Sequence, residues 1–121
     1  MEEVMRLALV LFALLLAPIV QAADYYSGNA LSAGLLIQDA KNVTDAQTAY
    51  NTGYAMGYVL AAFETSNGDL FCMPKEVTIR QTNDVVLAYL RDHPADRHLP
   101  AVFLVEHALQ ASFPCPAKTA K

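Results

Sequence analysis

Apolar residues recur along the chain in two ways: one unbroken run near the start, then four stretches at helical spacing. The run, Leu7 to Val20, is about 14 residues of almost only Leu, Ala, Val, Ile and Phe. A bilayer span needs roughly 20, so the length suits the apolar region of a signal peptide. Val20-Gln21-Ala22 places cleavage after Ala22, although Glu2 and Glu3 outnumber Arg6 ahead of the run. A retained anchor is the alternative reading. Residues 1–22 are therefore taken as a signal peptide and 23–121 as one domain.

The four later patterns predict four helices. The first runs from about Ser27 to Asp39, with Leu31, Leu35 and Ile37 or Leu36 at helical spacing and Ser27 as its cap. The second starts at the capping box Thr44-Asp45-Ala46-Gln47 and passes Tyr50, Tyr54, Gly57, Tyr58 and Ala61 to about Glu64; Ser66-Asn67-Gly68-Asp69 ends it. The third opens at the capping box Thr78-Ile79-Arg80-Gln81, with a core stripe of Ile79, Val86 and Leu90 flanked by Val85 and Tyr89. Pro94 bars helical geometry at His93, which stops that helix near Arg91 or Asp92. The fourth begins with Pro100 at its first helical position and runs to about Ser112, its stripe being Val102, Val105 and Leu109 with Leu104 and Ala108 beside it. No strand pattern competes. The expected fold is all-α: a compact four-helix domain with short connections and antiparallel neighbours.

Removing the first 22 of 121 residues leaves 99, enough for one domain. The two cysteines, Cys72 and Cys115, are the only ones, and in an exported chain they read first as one disulfide. A reactive thiol would need a setting that lowers its pKa, whereas these two sit among Phe, Met and Pro. The net charge of −4 supplies no basic patch for phosphates, so nucleic acid is excluded as a partner. Mild acidity suits either a basic partner or plain solubility.

Few residues offer chemistry. His93, His98 and His107 form no pair or cluster of metal-ligand spacing, and no nucleophile or paired carboxylate stands beside them. GxSxG, HExxH, Walker and Cys-x-x-Cys motifs are absent, and the sequence points to a binding protein that uses no cofactor rather than to an enzyme. Gly53-x-x-x-Gly57, beside Tyr54, suggests either close helix packing within the chain or a contact between subunits. The charged connection Arg91-Asp92-His93-Pro94-Ala95-Asp96-Arg97-His98 is either a solvated loop or a stiff probe for a partner's cleft.

Phe71-Cys72-Met73-Pro74, Val77-Thr78 and Val85-Val86-Leu87-Ala88-Tyr89-Leu90 are followed by His93-Pro94, Arg97-His98-Leu99-Pro100-Ala101 and Phe113-Pro114-Cys115-Pro116. In this order they resemble the Rap/Tai family of type VI secretion immunity proteins, closely from Phe71 to Pro116 and loosely from Asp24 to Phe63. The resemblance implies a periplasmic helical protein that binds and blocks a toxic effector. In the Tai branch the effector is a cell-wall amidase and the inhibitor a homodimer. By that analogy Arg91, Asp92, His93, Asp96, Arg97 and His98, with the exposed face of the third helix, are the expected contacts. Relatives commonly carry a further cysteine pair, one on the first helix and one before the Tyr-x-x-Gly step. Here Leu35, Leu36 and Ile37, and Asn51 and Thr52, stand near those places. A small periplasmic chaperone with a single disulfide is the other class the sequence allows.

Overall fold

The computed structural model describes residues 1–6, 25–38 and 43–117. The expected signal segment from Leu7 to Val20, the cleavage point after Ala22 and the expected helix end at Asp39 lie outside the described residues. Within them the domain is built of α1 (Gly28–Leu35), α2 (Ala46–Ser66), α3 (Ile79–Asp92) and α4 (Ala101–Ser112), with a 3₁₀ turn at Pro94–Asp96. No strand occurs among the described residues, only isolated bridges of Ser27 with Pro100 and Asn67 with Phe71.

Three of the four helices start where a side chain satisfies a free backbone N–H; α4, behind Pro100, has no such bond. The Ser27 hydroxyl accepts from Ala30 N at 3.3 Å and opens α1. In α2 the cap is Asp45, not Thr44: its carboxylate accepts from Thr48 N at 2.8 Å. That bond favours the charged form and holds the Asp45 pKa below its ordinary value. Thr78 accepts from Gln81 N at 3.2 Å and caps α3 as the sequence predicts. Pro100 lies one residue outside α4, as its cap, rather than at the first helical position. α1 is shorter than its pattern suggested; after Leu35 the chain turns, leaving Leu36 55% exposed. The α2 C-terminus is closed by Gly68 at φ +91°, a left-handed conformation that suits glycine, while Asn67 Oδ1 accepts from Met73 N at 3.0 Å.

α1 packs chiefly on α2, and α3 on α4, with α2 also crossing α4. Leu31, Leu35, Ala55, Val59, Phe71, Val86, Leu90, Leu104, Val105 and Leu109 meet in one core. Removing a fully buried leucine from such a core costs roughly 2–5 kcal/mol. The α3 stripe differs from the expected one. Ile79 is 39% exposed, whereas Thr82 and Asn83 are buried with Val86, Leu87 and Leu90. Thr82 tolerates burial because its hydroxyl donates back to Thr78 O at 3.0 Å. In α4 the buried face is Ala101, Leu104, Val105, Ala108 and Leu109, and Val102 stands half-buried at its edge.

Two glycines set how closely α1 approaches its neighbours. A Cβ on Gly34 would lie 2.5 Å from the Ala55 Cβ and 2.8 Å from the Asn51 carbonyl oxygen. One on Gly28 would strike Leu104 and come within 2.9 Å of the Arg97 carbonyl oxygen. Cys72 and Cys115 form the disulfide, their Cα atoms 4.6 Å apart, beside a bond from Cys72 N to Phe113 O of 2.8 Å. It fastens the segment before α3 to the chain leaving α4.

Candidate functional site

The connection between α3 and α4 is a shaped element. Tyr89 O accepts from His93 N at 3.1 Å, and the 3₁₀ turn carries the chain across to α4. Three successive carbonyls of the connection then accept from the start of α1. Asn29 N donates to Arg97 O at 2.8 Å, the Tyr25 hydroxyl to His98 O at 3.2 Å, and Gly28 N to Leu99 O at 3.0 Å. Ala101 N returns a bond to Tyr26 O at 2.7 Å. Backbone so tied presents its side chains in fixed directions, which lowers the entropy lost on binding.

Both histidines of this connection are oriented by their own backbone. His93 Nδ1 lies 2.8 Å from Tyr89 O, and its ring stacks on Tyr89 at 4.0 Å. His98 Nδ1 lies 2.9 Å from Ala95 O. A carbonyl only accepts, so each Nδ1 donates, and a neutral ring then offers Nε2 as an acceptor. Arg91, Asp92, His93 and His98 are exposed, whereas Asp96 and Arg97 are half-buried. Arg97 Nε is enclosed and has no hydrogen-bond partner among the described residues. Of the six predicted contact residues, Arg91 and Asp92 end α3 and the other four lie in the connection that follows; Arg91, Asp92, His93 and His98 are open to solvent.

Gly53 and Gly57 are not at a helix crossing within the chain. Both are exposed, and a Cβ on either would meet nothing within 4 Å. They lie on the outer side of α2, whose only charged residue is Glu64. Beside them runs a set of tyrosines. Tyr50, Tyr54 and Tyr58 follow one another at 6.0 and 6.3 Å, and Tyr26 packs on Tyr54 at 4.8 Å and Tyr58 at 5.0 Å. Partial burial pushes the Tyr26 and Tyr58 hydroxyls above their ordinary pKa, with neighbouring tyrosines adding to it. Tyr26, Tyr50 and Tyr54 border a groove of about 450 Å³ between α1 and α2, floored by Ala30, Ala33 and Gly34.

The sequence singled out Tyr54 but not this cluster. Tyr50, Tyr54 and Tyr58 repeat every four residues, a signal that was present; that Tyr26 joins them depends on how α1 docks. No group of three or more His, Cys, Asp or Glu residues is placed to hold a metal ion among the described residues. Nor is any described helix long and apolar enough to cross a membrane. The connection thus carries two oriented imidazoles and flanking charges, and the outer side of α2 an aromatic face whose helix has Glu64 as its one charged residue.

No curated protein matches the chain. Residues 27–115, from the α1 cap to the second cysteine of the disulfide, match the family of Rap1a immunity proteins. That segment is most of the 121-residue chain and contains all four helices of the domain. With the Rap/Tai motif order already present between Phe71 and Pro116, the chain belongs to the Rap1a immunity proteins.

Proposed function

We propose that this immunity protein acts in the periplasm, after export, by binding and inhibiting a type VI secretion effector that is a peptidoglycan amidase. It does so without catalysis, its Arg91–His98 connection entering the effector's cleft. The observation that carries this reading is the anchoring of that connection to Tyr25, Gly28 and Asn29, with Arg91, Asp92, His93 and His98 left open. An inhibitor that competes with a substrate benefits from such a preformed insert. The protein works as a homodimer, and the Gly53, Tyr54 and Gly57 side of α2 is the face offered to the second copy. That face is exposed and uncharged, so two acidic chains can meet there without facing like charges.

Tagged protein used as bait against lysates of bacteria expressing type VI effectors tests the reading. The expected result is stoichiometric capture of one amidase and loss of its cell-wall hydrolysis. Arg91→Ala and His93→Ala should each weaken that complex by roughly 1–3 kcal/mol. Equal affinity of both variants and the parent rules out the connection as the contact. Capture of many unrelated unfolded proteins would favour the chaperone class instead.

A further inference from the structure

A second recess, of about 210 Å³, lies between α2 and α4. It is less than half the volume of the groove between α1 and α2 and suits a single side chain rather than a folded segment. Its walls are Tyr58, Ala61, Ala62 and Val102, and its polar end is made by Ser66 and Glu106. The Ser66 hydroxyl, itself buried, donates to Glu106 Oε1 at 3.0 Å. Glu106 is half-buried and makes no ion pair among the described residues.

A carboxylate partly withdrawn from water and lacking a counter-charge gains from a cation. The shape of the recess defines which one. Methyl groups of Ala61, Ala62 and Val102 suit the methylenes of a lysine or arginine stem, and the Tyr58 ring suits its charged head. Val102 and Glu106 occupy the first two turns of α4, directly after the Arg91–Leu99 connection. Tyr26, whose carbonyl accepts from Ala101 N, packs against Tyr58, so recess and connection share one flank. The net charge of −4 also draws a basic partner.

We propose that this recess receives a lysine or arginine side chain of the protein effector, its head on Glu106 and its stem along Val102 and Ala61. That the cation comes from an effector rests on the immunity reading; the pocket itself does not. The two are separated by titrating the purified protein with N-acetyl-arginine amide, N-acetyl-lysine amide and the neutral isostere N-acetyl-citrulline amide. Alanine and valine methyl resonances are the readout. The cationic amides should give saturable shifts at Ala61, Ala62 and Val102, and citrulline none. Glu106→Gln, which keeps an acceptor for Ser66, should weaken the cationic amides about tenfold. Ala61→Leu, at an exposed position, should fill the mouth and remove the shifts while leaving the fold intact. Equal response to citrulline, or undiminished binding by Glu106→Gln, overturns the cation pocket. If the amides bind as expected but a captured effector binds Glu106→Gln as tightly as the parent, the assigned occupant is wrong.

Discussion

At the scale of single residues, four glycines divide into two opposite kinds. Gly28 and Gly34 are where α1 touches the rest of the molecule, and rigid backbone carbonyls face the space a Cβ would take. Gly34→Ala must push α1 away from Asn51 and Ala55, and we expect it to cost about 1–3 kcal/mol in urea unfolding. Gly53 and Gly57 sit in helix interior with open space beyond them. Gly57→Ala should therefore stabilise the isolated chain by roughly 0.5–1 kcal/mol, since alanine restricts the unfolded backbone more. If α2 meets a second copy there, the same variant lowers the association constant measured by sedimentation. Stability unchanged by Gly34→Ala would refute the close α1–α2 approach. The sequence offered no means of telling these glycines apart: GxxxG spacing drew attention to the pair that touches nothing.

At the scale of elements, α2 depends on a charged cap. Thr48 N holds Asp45 in its carboxylate form, so its folded pKa lies below the ordinary 3.8. The stabilisation is present in full above the unfolded pKa and is lost as pH falls through the lower folded value. A comparison of the parent with Asp45→Ala by urea unfolding should show a gap at neutral pH. That gap should close in acid below about pH 4. A gap that persists at pH 2 would remove the cap's charge from the account. Helix starts were legible because Ser, Asp and Thr announce them, with the register at α2 off by one residue. The buried face of α3 was legible in part: Val86 and Leu90 are buried as expected, but apolar pattern favours Ile79 and discounts Thr82 and Asn83. Thr82 is tolerated inside because Thr78 O accepts from its hydroxyl, a partner that exists only in the folded helix, whereas the buried Asn83 amide has no partner among the described residues.

At the scale of the whole molecule, one covalent bond joins the two ends of the α3–α4 half. Cys72 and Cys115 are 43 positions apart, and closing a loop of that length contributes roughly 4 kcal/mol by restricting the unfolded chain. A domain's total stability is about 5–15 kcal/mol. Cys72→Ser and Cys115→Ser should therefore lower stability by similar amounts, and the double variant by no more than either alone. Additive losses would contradict the pairing. The bond was legible from the cysteine count and the expectation of export, whereas the seating of the Arg91–His98 connection was not. Nothing local in that stretch indicates that its carbonyls bind Tyr25, Gly28 and Asn29, the first of them 73 positions away. This long reach also has a cost: closing so large a loop takes more chain entropy than closing the short connections between neighbouring helices. A chain still being completed, or trapped half folded, carries the right residues in the wrong arrangement. On the proposed reading, protection would come only from copies in which Tyr25, Gly28 and Asn29 have docked on the connection, so a cell's defence would be counted in finished molecules rather than in chains synthesised.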